Sequence, residues 1–177
     1  KKSIFLLTII SLGALFFSIT NQVSIEASND DNNSINYVHL KNTSNNLSTI
    51  YSTNYQNKIY NQIAKLKKYK NYTIEHPLLI TNPYSTNTTS VYMYFKTSDE
   101  LQATYTIHCE GYNDFSRTLN NNTLSGYTTN HEYLLVGAIP GQINTITVTL
   151  TNKQGKTVDT LSWSYNAPSL QGGDQYL

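Results

Sequence analysis

Hydrophobic residues change their spacing three times along this chain, and each change predicts a different element. An apolar run from Ile4 to Ile19 follows Lys1-Lys2 and gives way to Thr20-Asn21-Gln22 and then Ala27. That order of basic pair, apolar stretch and small residue is the layout of a secretory signal peptide. It predicts a signal over residues 1–27, cut between Ala27 and Ser28 in preference to an uncleaved anchor. The membrane is then met only through that signal, and the remainder works as a secreted or cell-surface protein. Residues 28–48 are rich in Asn, Asp and Ser, with only isolated Ile35, Tyr37, Val38 and Leu40 to bury. So little apolar surface does not offset the entropy of ordering, and the tract reads as a flexible polar leader.

From Thr49 to Lys70 the apolar residues Ile50, Tyr55, Ile59, Ile63, Leu66 and Tyr69 recur mostly at spacings of three or four, with lysines between them. This period predicts one amphipathic helix over residues 49–70 whose stripe must be covered by its own domain or by a partner. After Asn71 the period falls to two. Strands are expected at Leu78 to Thr81, Ser90 to Lys96, Gln102 to Cys109, Phe115 to Leu119, Glu132 to Gly137, Asn144 to Thr151 and Lys156 to Tyr165. In Thr145-Ile146-Thr147-Val148-Thr149-Leu150 the aliphatic residues face a core and the threonines face water. Asn152-Lys153-Gln154-Gly155 is a turn in which Gly155 takes the left-handed position. Seven short strands with frequent turns predict a mostly β, immunoglobulin- or fibronectin-like antiparallel sandwich over residues 76–166, preceded by one helix. Asn166 onward, with Pro168, Gly172 and Gly173, reads as a linker over residues 167–177.

Charge narrows the partners. The chain has 12 Lys and Arg against 11 Asp and Glu. Loss of Lys1, Lys2 and Glu26 with the signal leaves ten of each, so nothing advertises nucleic acid. The one basic concentration, Lys58, Lys65, Lys67, Lys68 and Lys70, reads as the wet face of the helix. Cys109 is the sole cysteine, which rules out an intrachain disulfide and a thiolate metal cluster. It sits in an alternating run as a small buried hydrophobe, with His108 on the opposite face of its strand.

The groups able to do chemistry are few and scattered. His39 falls in the leader, His76 precedes Pro77, His108 lies on a strand and His131 opens another. None has a metal-ligand spacing to another, and no nucleophile elbow or phosphate-binding glycine motif occurs. Asp99-Glu100 are adjacent rather than facing, in the loop between two strands. Arg117 is the only arginine. No residue is therefore assigned a catalytic, cofactor-binding or metal-binding role, and no cofactor is expected.

The ordered pieces His76-Pro77-Leu78-Leu79-Ile80-Thr81-Asn82-Pro83-Tyr84, Val91 to Lys96, Thr104 to Gly111 and His131 to Pro140 resemble the N-terminal domain of bacterial aryl-sulfate sulfotransferases. The likeness spans about His76 to Tyr165. Ser85 stands where the family has Gly after Asn-Pro-Tyr, so that turn is expected to be shaped differently, since Ser enters positive φ less easily. The resemblance implies a non-catalytic structural and dimerisation domain beside a C-terminal propeller whose histidine carries sulfuryl transfer. No catalytic residue is transferable to this chain, and its own enzymatic status stays open. The alternative is a freestanding secreted or cell-surface β-sandwich binding module, for instance one recognising carbohydrate or protein through exposed tyrosines, with a small hydrolase ranked last for want of a nucleophile-base pair.

Overall fold

The computed structural model describes residues 35–40, 43–120 and 125–170; the expected signal peptide and the last residues of the expected linker lie outside them. The elements are α1 (Leu47–Ile50), α2 (Thr53–Leu66), β1 (Leu78–Thr81), β2 (Val91–His108), β3 (Phe115–Leu119), β4 (Thr128–Leu135), β5 (Ile143–Thr151) and β6 (Thr157–Asn166). The protein is mostly β, with 43% of the described residues in strands. Six strands form where the alternation predicts seven, because the second and third predicted strands are one element of 18 residues, β2. Its register breaks between Lys96 and Leu101. Asp99 and Glu100 therefore sit within a strand, at its irregularity, and not in a loop.

That break divides the strand between two layers. The first half of β2 pairs antiparallel with β1 on one side and β4 on the other. The second half pairs antiparallel with β3 and β5, and β5 carries β6. Between the layers lie Val91, Met93, Phe95, Tyr105, Ile107, Ile146, Val148, Leu150 and Trp163, all buried. The threonines of β5 face outward, where Thr147 meets Ser162 of β6 at 2.9 Å between hydroxyls. β4 starts at Thr128, earlier than Glu132, and stops at Leu135. Gly137 cannot extend it: its φ is +108°, and a Cβ there would stand 2.8 Å from the ring of Phe115.

The outer face of the first sheet is covered by the helix. Ile59, Ile63 and Leu66 are buried in the same core as Tyr92 and Tyr94, so the stripe is closed within the chain. The single helix expected over Thr49–Lys70 is two. Ser52 separates them by working in both directions, its hydroxyl donating to the Thr49 carbonyl at 2.7 Å and accepting from the Tyr55 amide at 3.3 Å. Asn46 caps α1 through its side-chain oxygen at 3.1 Å from the Thr49 amide. Helix α2 ends at Leu66, and Tyr69, counted in the stripe from sequence, is 76% exposed.

Two local expectations are corrected. Ser85 does take positive φ, +58°. The strain is offset by its amide donating to the Asn82 carbonyl at 3.1 Å and its hydroxyl meeting that of Tyr55 at 2.7 Å. Residues 35–40, assigned to the leader, run parallel to β1: Tyr37 bridges Leu79, and the Val38 amide donates to the Leu79 carbonyl at 2.8 Å. Tyr37 also accepts a 2.7 Å hydrogen bond from the Trp163 indole and packs 5.9 Å from the ring of Tyr165. The segment thus links β1 of one sheet to β6 of the other. Isolated apolar residues suffice to order it because each finds a partner already fixed by a sheet.

Trp163→Ala is expected to destabilise the domain by about 3–5 kcal/mol in urea denaturation, the cost of deleting a large buried aromatic. Tyr37→Phe should cost about 1–3 kcal/mol, because it leaves the Trp163 indole N–H buried without its acceptor. A Tyr37→Phe midpoint equal to the parent's would show that this bond contributes nothing.

Candidate functional site

On the flank where β3 and β4 are the edge strands, the two sheets part and leave a cleft of about 550 Å³. Its walls include Arg117, Asn120, Thr128, Asn130 and Glu132. Arg117 arrives there because β3 places it opposite Tyr105, in the inward row, at an edge with no further strand to cover it. The opposite flank, between β1 and β6, is the one that residues 35–40 close. The asymmetry makes the β3/β4 cleft the accessible opening of the sandwich, polar and carrying the chain's single guanidinium.

Glu132 stands at the rim of this cleft and ties three elements together. Its carboxylate pairs with Lys67, at the end of α2, at 2.5 Å and accepts from the hydroxyl of Tyr92 at 2.7 Å. Burial and the neighbouring carboxylate hold the Tyr92 hydroxyl well above the usual phenol range, so it remains a donor. Lys67 also lies 4.7 Å over the ring of Tyr94, an arrangement favourable to a cation. Lys67 is thus half-buried and committed to the fold, which corrects its assignment to a wholly wet face. Lys70 lies 5.1 Å over Tyr72, while Lys58, Lys65 and Lys68 are exposed.

His131 is wholly buried between the sheets and stacks flat on Phe95, with centroids 4.4 Å apart and an interplanar angle of 6°. Its Nδ1 meets the Tyr133 hydroxyl at 2.8 Å and its Nε2 meets the Thr97 hydroxyl at 3.0 Å. Thr97 itself donates to the Asp99 carbonyl at 2.7 Å. The Thr97 oxygen must then accept from Nε2–H, which leaves Nδ1 to accept from Tyr133. Burial lowers the His131 pKa to about 4, so the ring is neutral near pH 7. Both nitrogens are occupied in packing, and His131 is not among the residues lining the cleft.

The other residues singled out from sequence do not converge. His39 and His76 are exposed. His108 Nδ1 meets Asp114 at 2.7 Å on the surface, an exposed pair. Cys109 is buried, and its sulfur lies 3.9 Å from the Glu110 carbonyl. Glu100 pairs with Lys153 at 2.6 Å. Among the described residues, no cluster of three or more His, Cys, Asp or Glu is placed to hold a metal. The cleft presents one guanidinium, the Glu132 carboxylate and several amides and hydroxyls. Sequence reasoning missed the His131 network and the Glu132 hub. Extending the alternation Tyr133, Leu135 back by one step would have put His131 in the inward row.

Compared with known proteins, the family model of the arylsulfotransferase Ig-like domain matches residues 78–168. No curated protein and no solved structure matches the chain.

Glu132→Ala is expected to cost about 1–3 kcal/mol in a urea melt, since it strands the buried Tyr92 hydroxyl. Glu132→Gln should recover most of that loss by keeping an acceptor, because the exposed part of the ion pair with Lys67 is worth at most about 1 kcal/mol. Equal losses in the two variants would assign the effect to charge and refute the hydrogen-bond account.

Proposed function

We propose, from the premise that this chain belongs to the arylsulfotransferase Ig-like domain family, that it is the non-catalytic structural domain of an aryl-sulfate sulfotransferase. In this reading, transfer of the sulfuryl group from an aryl sulfate to a phenol is carried by a propeller domain outside these 177 residues. The matched span begins with β1 and ends just past β6, so it takes in the whole sandwich. The observation that carries the reading is the engagement of the polar groups in packing. His131 is buried with both nitrogens bonded, Lys67 and Glu132 pair with each other, and Cys109 is buried. Sulfuryl transfer needs a nucleophile and cations converging on developing negative charge, and the side-chain bonds of His131 and His108 go to Tyr133, Thr97 and Asp114.

The domain functions outside the cytosol, in keeping with the signal-like run at residues 1–27. Among the described residues no helix is long and apolar enough to cross a membrane. Assembly as a homodimer is part of the proposal. With the helix side closed by its own stripe, the contact falls on the second sheet, where Ile143 and Val158 remain exposed. A second reading, a freestanding binding module, is favoured by one feature, the accessible cleft at Arg117.

Residues 28–177, purified and supplied with an aryl sulfate donor and a phenol acceptor, are expected to show no turnover above background. Turnover abolished by substituting one of the four histidines would refute the non-catalytic assignment. Light scattering on the same sample should give twice the chain mass. A monomer at micromolar concentration would remove dimerisation from the proposal while leaving the catalytic conclusion intact.

A further inference from the structure

The chain of hydrogen bonds through His131 ends at the place where β2 changes sheets. Tyr133 O–H donates to Nδ1, Nε2–H donates to Thr97, and Thr97 donates to the Asp99 carbonyl within the register break between Lys96 and Leu101. Every donor in this relay has one direction, and the first bond, from Tyr133 to Nδ1, keeps its direction only while the imidazole is neutral. A proton added at Nδ1 turns that atom from acceptor to donor, so the Tyr133 hydroxyl must point its own proton elsewhere. The new charge would also sit in a site with no exposed surface, stacked face-on against Phe95.

We propose that His131 is an acid-sensitive latch: a charged ring has no place between the sheets, so protonation drives the imidazole out, and with it go the bonds to Tyr133 and Thr97 that hold the bend of β2, letting the two sheets part at that end of the sandwich.

Among the described residues no neighbouring charge is placed to compensate. On β2, Lys96, Asp99 and Glu100 are exposed, and Glu100 is taken by Lys153 of the β5–β6 turn. On β4, Glu132 points to the helix side and pairs with Lys67. From the facing sheet, Asp159 occupies the position opposite Leu150, but its carboxylate accepts from the Thr160 amide at 2.7 Å; Arg117 lies on the exposed edge of β3. Tyr133 alone among titratable side chains touches the ring through a hydrogen bond, and the lowering of the His131 pKa to about 4 arises from burial. In the opened state the imidazole recovers its ordinary value, about 6.5. Between about pH 6.5 and 4 the opened form therefore takes up a proton that the closed form refuses, and opening is favoured progressively as pH falls. Above about pH 6.5 the latch contributes no pH dependence.

Hydrogen exchange on the chain, corrected for the intrinsic pH dependence of the chemistry, tests this directly. Opening at the amides of Lys96, Thr97, Leu101, Asn130 and His131 is expected to rise towards tenfold per pH unit within the window. Amides of the β5–β6 ladder should lag behind. His131→Gln removes the titrating ring and should flatten the slope. Thr97→Val cuts the relay but keeps the ring, so it should raise opening at every pH and preserve the slope. If the glutamine variant does not fold, NMR titration of the His131 ring in the parent decides alone, with a midpoint below about pH 5 expected. A midpoint near 6.5, a parent with no slope, or loss of protection in both sheets at once would overturn the proposal.

Discussion

The structure depends on one strand having both of its faces buried. From Val91 to Phe95 five consecutive residues of β2 are buried, a pattern that a half-exposed antiparallel strand does not produce. Alternate residues face the second sheet and the helix, so removing either cover would leave large side chains in water. Helix α2 is consequently part of the core and not an accessory to it. The same strand then crosses into the second sheet after its register break, which makes the two layers mechanically continuous.

This architecture explains why the polar residues are where they are. Burying both faces of a strand rich in tyrosine places hydroxyls inside the protein, and each hydroxyl that finds an acceptor draws a further polar group inward. Tyr92 calls for Glu132, and Glu132 holds Lys67; Tyr105 donates to the Val136 carbonyl at 2.9 Å. Two groups have no such partner among the described residues, the hydroxyls of Thr73 and Tyr165. Burial lifts the Tyr165 phenol to about 12, so it stays neutral there.

Much of the fold was legible because the strands of the second sheet have one wet face. Thr145 to Leu150 alternates cleanly, and the strand expected at Asn144 to Thr151 is lengthened by one residue only, to Ile143–Thr151; Leu78–Thr81 of the first sheet and Phe115–Leu119 keep their expected bounds. The first half of β2 hid its extent because a strand covered on both sides has no alternation to mark its continuation through Thr97-Ser98-Asp99-Glu100. The helix break is written in Ser52, a capping residue inside an apolar period that runs on past it. Residues 35–40 were illegible for a different reason: their order comes from β1 and from Trp163, which no local window contains. The candidate cleft depends likewise on two strands that stay edges, and edge position is a property of topology.

The bond between Tyr37 and Trp163 joins residues 126 positions apart. A contact of that span imposes an order of events on a chain made from its N-terminus. At about 5–20 residues per second, synthesis leaves Tyr37 waiting from several to some tens of seconds for its partner to exist. During that interval the edge of β1 that the segment will cover has no indole on the far side to anchor the cover. Closing so long a loop is entropically late, so the staple forms after the sheets have met. A contact made after the rate-limiting step slows unfolding more than it speeds folding, and the first residues of the described chain thereby govern how long the finished domain lasts.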